Sequence, residues 1–234
     1  MRTGLMLAVT ATCLAGCDVS FSAGNVSVGQ VKGNVSTSAG AATRTFVNSR
    51  DTARSAPLQQ YYVDFSFDYP RNWSVTPQPN DGTAQNFVRV AAPLVDGYEP
   101  FAVHVGYAYG SGDTAADRRD LEGSLPQFAE QFGRNFQNYR VASVGTDQVA
   151  GQETLNWRFT ATAPGVNGGA PAQIFGRGDV LLPPGATRGV SIISIATSRT
   201  SEVRGAADVG ESGTLAAVLD SFRLGGEGAG SGDK

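Results

Sequence analysis

Few side chains of this sequence can serve as nucleophiles, general bases or metal ligands. The 234-residue chain contains one histidine, His104, and two cysteines, Cys13 and Cys17. A zinc site of the usual kind needs several His, Cys or carboxylate ligands, and a Ser-His-Asp triad would have to use His104. The sequence contains no Walker loop, dinucleotide-binding fingerprint or G-x-S-x-G motif. We therefore predict a protein that is not an enzyme, with no catalytic residue, metal ligand or cofactor.

His104 and a group of acidic residues are the remaining candidates for chemistry. His104 falls in an alternating strand pattern, on the face opposite the apolar residues, where a lone histidine usually has a structural role. Asp117, Asp120 and Glu122 lie near a predicted helix start, where acidic side chains complement the helix dipole. A divalent-cation site at these acids is the less favoured alternative. The adhesion-type tripeptide Arg177-Gly178-Asp179 falls in a predicted strand and receives no role.

The sequence around Cys17 carries the strongest chemical signal. After Met1-Arg2, an apolar run of about ten residues has the length of a signal-peptide core and is too short to span a membrane. It ends in Leu14-Ala15-Gly16-Cys17, which resembles the lipobox of bacterial lipoproteins. The resemblance implies cleavage before Cys17 and lipidation of its thiol and its new amino group. A signal peptide that is cut elsewhere is the alternative.

Lipidation of Cys17 would place the protein in the bacterial cell envelope, bound to membrane lipid and facing the periplasm or the exterior. Asp18 resembles the residue that retains enterobacterial lipoproteins in the inner membrane, which weakly favours that membrane. The mature chain would contain no disulfide and no free thiol, since Cys13 leaves with the signal peptide. The net charge of −3, without any run of Lys or Arg, disfavours nucleic-acid binding.

Composition divides the chain into four parts. Residues 1–16 form the signal peptide, and residues 17–57 are rich in Ser, Gly, Ala and Thr, which predicts a flexible tether with a reach of ~35 Å. Residues 58–224 form one domain, and residues 225–234 form a disordered tail. Alternating valines between residues 19 and 35 leave a short strand within the tether as an alternative.

The domain is predicted to begin with the aromatic stretch from Tyr61 to Tyr69. Aromatic and β-branched residues alternate there with smaller or polar ones, which indicates a half-buried strand. Pro70 ends the strand because it cannot donate a hydrogen bond to a neighbour. Trp73 follows on a turn and is predicted to cover the strand end as part of the core. A stacking platform for a ligand or partner is the alternative role of Trp73.

Alternation continues through the domain and predicts further strands. These strands are 86–92, 101–109, 139–147, 153–163, 172–182 and 189–198. Residues 188–196 are apolar almost throughout, which is typical of a central strand that is covered on both faces. Short turns between successive strands favour an antiparallel sheet.

Two segments have the spacing of amphipathic helices. Their apolar stripes are Leu121, Leu125, Phe128, Phe132 and Phe136 in the first, and Leu215, Val218, Leu219 and Phe222 in the second. Asp113 or Thr114 is predicted to cap the first helix. Pro126 either kinks that helix or lies in its first turn after a Ser124 cap. Because each stripe must be buried on a sheet, the predicted fold class is α+β.

The opening pattern F-x-F-x-Y-P-x-x-W, from Phe65 to Trp73, and the order of the later elements resemble the PsbP-like family over residues 58–224. The resemblance implies an antiparallel β-sheet with helices packed on both faces. It also implies a scaffolding or assembly role, because most members have one. We predict a membrane-anchored, non-catalytic binding or accessory lipoprotein with an envelope protein as partner. A small-ligand-binding envelope protein and an envelope hydrolase with an unrecognised carboxylate or hydroxyl site are the alternatives.

Overall fold

A computed structural model describes residues 42–51, 53, 55–77, 86–166 and 169–225 of the chain. The strands within these ranges are Thr43–Val47 (β1), Phe65–Pro70 (β2), Ser74–Pro77 (β3), Asn86–Ala91 (β4), Phe101–Tyr109 (β5), Gln137–Val149 (β6), Gln152–Ala163 (β7), Ala172–Leu181 (β8), Arg188–Thr197 (β9) and Arg223–Leu224 (β10). The α-helices are Ala56–Gln60 (α1), Thr114–Phe132 (α2) and Gly213–Asp220 (α3), and 3₁₀ turns occur at Gly133–Asn135 and Ala206–Asp208. None of these helices has the length and apolar character of a membrane span.

A seven-stranded antiparallel sheet forms the centre of the domain. Its strand order is β3-β4-β5-β9-β8-β7-β6. β9 is the fourth of the seven strands, and all its residues after Arg188 are buried. The predicted central strand is therefore confirmed. β5 has the predicted bounds. The predicted α+β class with an antiparallel sheet is therefore confirmed.

One face of the large sheet, the helix face, packs against α2. Leu125, Ala129 and Phe132 of α2 are buried in one cluster with Trp157 and Phe159 of β7. The edge of the Phe132 ring meets the Phe159 ring at a centroid distance of 5.3 Å. Alternation along β7 directs these aromatic residues to the helix face and the residues between them to the opposite face.

The opposite face of the large sheet packs against a second, smaller sheet, and we name it the small-sheet face. The small sheet has the order β1-β2-β10. Phe65, Phe67 and Tyr69 of β2 are buried in a core with residues of β5, β9 and α3. α3 packs against β2 and belongs to the same core. The sequence did not predict the small sheet that lies on this face. The aromatic side chains of β2 are buried in the core that the two sheets share.

β1 lies inside the segment that was predicted to be a flexible tether from residue 17 to residue 57. It pairs with β2 in antiparallel register, with Phe46 opposite Phe67. The ring of Phe46 contacts Phe65 and Phe67 at centroid distances of 5.8 and 5.5 Å. The folded domain therefore begins at β1, and the predicted boundary at residue 58 is too late. A single aromatic residue in a polar segment was too weak a signal.

The strand in the aromatic stretch, β2, is shorter than predicted. β2 begins at Phe65, so Tyr61 and Val63 precede the strand, and β2 ends at Pro70 as predicted. Tyr61 instead stacks on Tyr107 and Tyr109 of β5, with centroid distances of 4.6 and 4.7 Å.

The first predicted helix is continuous across its proline. α2 begins after Asp113, whose side chain accepts hydrogen bonds from the N–H groups of Ala115 and Ala116. The Asp113 cap is thus confirmed, and a helix start after Ser124 is wrong. Pro126 is exposed inside the helix, where the missing N–H leaves one carbonyl of the preceding turn without a helical partner.

Several predictions concern residues outside the described ranges. These are the signal peptide, Cys17 with its lipid, Asp18, the alternative strand between residues 19 and 35, and the tail after residue 225.

Candidate functional site

Polar side chains of the large sheet gather on the small-sheet face, over β7, β8 and β9. Arg158 of β7 lies opposite Arg177 of β8, and Arg177 lies opposite Ser194 of β9. Ser194 in turn pairs with Val103 of β5, which belongs to the core on this face. The two arginines, which we name the arginine pair, are therefore neighbours beneath the layer that covers the sheet.

Arg177 is held by Asp179, two residues further along β8. Its Nε donates to Oδ2 of Asp179 at 2.9 Å, and its Nη2 donates to Oδ1 at 2.9 Å. The hydroxyl of Thr154 donates to Oδ1 of Asp179 at 3.0 Å. Burial raises the pKa of Asp179, against the opposing effect of Arg177 and Thr154. The adhesion-type tripeptide is therefore part of the interior, since its two charged residues are buried and paired with each other.

Arg158 fastens the 3₁₀ turn Ala206–Asp208 to the sheet. Its Nη1 donates to the carbonyl oxygens of Ala206, Ala207 and Val209 at 3.0, 3.1 and 2.8 Å. These carbonyls belong to the 3₁₀ turn and to Val209, which directly follows it. A buried guanidinium supplies the donors that such a segment needs. The turn and the segment leading to α3 are thereby fixed on the sheet.

Two further carboxylates bridge the arginine pair. Oδ2 of Asp147 accepts from Nη2 of Arg158 at 2.9 Å and lies 3.1 Å from Nη1 of Arg177. Oε1 of Glu211 accepts from the same Nη2 of Arg158 and lies 3.5 Å from Nη1 of Arg177. Burial raises the pKa of Asp147, but the N–H of Gln148, the charge of Arg177 and the hydrogen bond and charge of Arg158 together lower this pKa overall.

An open polar groove continues the same face. It has a volume of about 340 Å³ and is lined by residues of β6, β7 and β8, namely Asn138, Tyr139, Arg140, Thr160, Thr162 and Gln173. Thr160 and Thr162 follow Arg158 at two-residue steps along β7, so the groove and the arginine pair share one face. β6 is bulged twice beside the groove, and bulges re-aim side chains near functional sites.

Trp73 lies in the core rather than on the surface. Its side chain is 7% exposed, and its ring stacks on Phe101 with a centroid distance of 6.0 Å. This is the core position predicted from the sequence. Contact of Trp73 with a ligand or partner stays a prediction, and so does lipidation of Cys17, which lies outside the described ranges.

His104 is buried on the helix face of β5, opposite Arg89 of β4 and Ile193 of β9. Burial, with a smaller contribution from the charge of Arg89, lowers the pKa of His104 to about 3. Arg89 itself is paired with Glu99. An imidazole with so low a pKa is a weak base at neutral pH.

Two of the three acidic residues near the start of α2, Asp117 and Glu122, bind other groups of the chain. Asp117 accepts hydrogen bonds from the N–H and hydroxyl of Ser111, at 2.7 and 2.8 Å, and from the N–H of Gly112 at 3.0 Å. The hydrogen bond from the Ser111 N–H contributes most to lowering the pKa of Asp117. Glu122 pairs with Arg118, and Asp120 is exposed. Within the described ranges, no group of three or more His, Cys, Asp or Glu residues could hold a metal ion.

The sequence did not point to Asp147, Arg158 or Glu211 as members of one site. Arg158 stands in an alternating polar row with Asn156 and Thr160, which is also the pattern of an exposed sheet face. A buried arginine and an exposed one look alike in sequence until the covering layer is known. The strand pairing of β6, β7 and β8 is the signal that would have brought these residues together.

The described elements define a class of protein, an α+β domain in which an antiparallel sheet carries α2 on one face and a small sheet on the other. No protein-family model matches the sequence, and no curated protein matches it. Among solved structures, the chain is similar to cyanobacterial PsbP (CyanoP) from Synechocystis sp. PCC 6803. The identity is 11% over 82% of this chain and 98% of that chain, with a TM-score of 0.49.

Two other solved structures are similar at low identity. LpqN, a protein involved in cell envelope biogenesis of Mycobacterium tuberculosis, has 13% identity over 78% of this chain and 91% of that chain, with a TM-score of 0.40. A protein from Bacteroides thetaiotaomicron VPI-5482 has 10% identity over 70% of this chain, with a TM-score of 0.43. This chain spans 46% of the length of that protein. Similarities of this degree assign no function.

Proposed function

We propose that this protein is a lipid-anchored accessory protein of the bacterial cell envelope that binds another envelope protein and catalyses no reaction. The anchor is supported by the motif Leu14-Ala15-Gly16-Cys17 behind an apolar run. A thiolate has the nucleophilicity that thioether formation requires. Two or more acyl chains hold a protein on a membrane durably, whereas one chain does not.

The observation that carries the binding part of the proposal is the edge strand β6. It spans 13 residues, and in the described part of the chain it pairs with β7 alone. An unpaired strand edge offers N–H and C=O groups to an extended segment of another protein, which is an established mode of protein recognition. β6 contains no Pro or Lys that would obstruct such pairing. Its residue Val144 is also exposed.

The environment of His104 supports the absence of catalysis. A general base works best with a pKa near the operating pH and within hydrogen-bond reach of the proton that it removes. His104 has a pKa of about 3, is buried between neighbouring strands, and does not line the polar groove.

The anchor can be tested by labelling with radioactive palmitate in a bacterial host. We expect the full-length protein to be labelled and recovered with membranes, and Cys17→Ser to lose both properties. Cys13→Ser is the matched control, because Cys13 lies in the part that is removed, and it should keep the label. Labelling of Cys17→Ser at the wild-type level would refute the anchor.

A further inference from the structure

The carboxylate of Glu211 contacts both guanidinium groups of the arginine pair, as a bound anion would. The side chains of Arg177 and Arg158 are 2% and 10% exposed, whereas that of Glu211 is 53% exposed. Its carboxylate thus reaches the buried guanidinium groups from the surface, on a segment that precedes α3. The same oxygen, Oε1, contacts Nη2 of Arg158 and Nη1 of Arg177.

The guanidinium groups are held in place without the help of Glu211. Nε and Nη2 of Arg177 are bound by Asp179, and Nη1 of Arg158 is bound by three carbonyl oxygens. Two of the other nitrogens, Nη1 of Arg177 and Nη2 of Arg158, converge on Asp147 and Glu211. Donors that are fixed before binding lower the entropic cost of holding an anion. Guanidinium groups suit carboxylate and phosphate oxygens in particular.

A buried polar atom beside the arginine pair is unsatisfied. Oγ of Ser194, which is opposite Arg177 in the sheet, is buried and has no hydrogen-bond partner within the described part of the chain. A buried hydroxyl without a partner costs free energy. This orphaned hydroxyl marks the interior next to Arg177 as a place where a further polar group would be stabilised.

We propose that the arginine pair is an anion-binding site, that Glu211 is its internal substitute ligand, and that a carboxylate or phosphate group of an external polar ligand displaces Glu211. Guanidinium groups bind the oxygens of both groups well, so the ligand class is a small organic acid or a phosphate ester.

The charges around the arginine pair require that an incoming anion replaces Glu211. Asp147 and Asp179 already balance the two guanidinium charges, and Glu211 adds a further negative charge. An incoming anion that joined Glu211 would meet like charge at short range, so it binds only when Glu211 leaves. Because the Glu211 side chain is half exposed, its release into water costs little. This inference does not depend on the lipid anchor or on the edge strand.

The experiment is a calorimetric titration of the full-length protein, in a non-ionic detergent at constant ionic strength, with inorganic phosphate and with glucuronate. Glu211→Gln removes the internal anion, and we expect it to bind at least one probe ten-fold or more tightly than the wild type. Glu211→Asp, with a shorter reach, should fall between them. Glu153→Gln is the matched control, because Glu153 is an equally exposed carboxylate paired with Arg118 at a different place. It should bind as the wild type does.

The relative affinities of the two probes distinguish the sources of the anion. Tighter binding of phosphate supports a phosphate ester, and tighter binding of glucuronate supports an organic acid. Equal affinities for wild type, Glu211→Gln and Glu153→Gln would overturn the proposal, provided that each variant unfolds cooperatively. If Glu211→Gln does not fold, equal affinities of Glu211→Asp and wild type would overturn it.

Discussion

His104 is a titratable residue whose surroundings allow only its neutral form. Adjacent strands cover it, with Arg89 on one side and Ile193 on the other. Its Nδ1 is buried without a hydrogen-bond partner in the described part of the chain. Protonation would place a second positive charge beside Arg89 in a site that water does not reach. The burial of His104 therefore makes the stability of the fold sensitive to acid and does not make the imidazole reactive.

We expect His104 to make the free energy of unfolding depend on pH. The pKa of His104 is lowered from 6.5 to about 3 in the folded state. Between these values the unfolded chain binds a proton that the folded chain does not. The free energy of unfolding therefore decreases as the pH falls, by up to about 1.4 kcal/mol per pH unit. Above pH ~6.5 this effect is absent.

Urea unfolding at several pH values checks this expectation. Between about pH 7 and pH 4.5 the wild type should lose roughly 2.5 kcal/mol more than His104→Gln, which has no ionisable group at this position. The carboxylates of the domain contribute equally to both proteins and cancel in the comparison. The same loss in wild type and variant would contradict the pKa of about 3 for His104.

At the scale of elements, β7 and β8 fit together through aromatic rings lying over glycines. Trp157 is opposite Gly178, and Phe159 is opposite Gly176. A Cβ built on Gly178 would lie 2.2 Å from Cη2 of Trp157, and one on Gly176 would lie 2.0 Å from Cζ of Phe159. The rings occupy the space that side chains would need. The glycine of the adhesion-type tripeptide is thus explained by sheet packing.

Gly178→Ala should destabilise the domain because the added methyl group displaces a buried Trp157 ring. Overpacking of a core costs roughly 1–3 kcal/mol, and thermal or urea unfolding measures it. Gly145→Ala is the matched control on β6, since a Cβ there would meet no atom within 4 Å. It should leave stability within about 0.5 kcal/mol of the wild type. A stability of Gly178→Ala equal to that of the control would show that the ring moves aside freely.

The elements that could be predicted are those whose own pattern of apolar and polar residues indicates the type of structure and its burial. β5 and β9 carry enough apolar residues to show that they are strands, and β9 shows that it is central. The cap of α2 at Asp113 was equally local. β1 could not be predicted because its stability comes from pairing with β2, which supplies partners for Phe46.

The polar site could not be predicted because it also depends on contacts between segments that are distant in the sequence. Asp147, Arg158, Arg177, Asp179 and Glu211 come from three strands and a connecting segment, and none of them is unusual in its own surroundings. The burial of Arg158 and Arg177 arises when the Ala206–Asp208 turn packs over the sheet. The sequence shows that polar residues alternate along β7, but it does not show that the Ala206–Asp208 turn covers them.

At the scale of the whole molecule, the two faces of the large sheet are covered and its β6 edge is left open. α2 covers the helix face, and the small sheet with α3 covers most of the other. β6 ends the strand order with an exposed backbone edge, and regular pairing with β7 from Ser143 to Val149 keeps that part straight. Natural sheets commonly protect such edges with charges or prolines. The straight part from Ser143 to Val149 contains no proline, and its one charged residue, Asp147, is bound to the arginine pair. Such an edge fits a protein that receives a strand from a partner.

A charge placed on this edge should prevent the partner from docking. Val144 is 42% exposed in the middle of β6, and Val47 is 57% exposed at the end of β1, the edge strand of the small sheet. Val144→Glu adds a charge that a paired strand would have to desolvate, whereas Val47→Glu adds the same charge elsewhere. Both residues are exposed, so neither variant should lose more than about 0.5 kcal/mol of stability.

Formaldehyde cross-linking in intact cells, followed by purification of the tagged full-length protein, measures this effect. The wild type and Val47→Glu should yield the same cross-linked species, and Val144→Glu should yield it at least ten-fold less. Since glutamate adds no amine, the substitution does not alter the cross-linking chemistry at that position. If Val144→Glu yields the species at the level of Val47→Glu, β6 is not the docking edge. If only Val47→Glu loses it, the partner binds the small sheet instead.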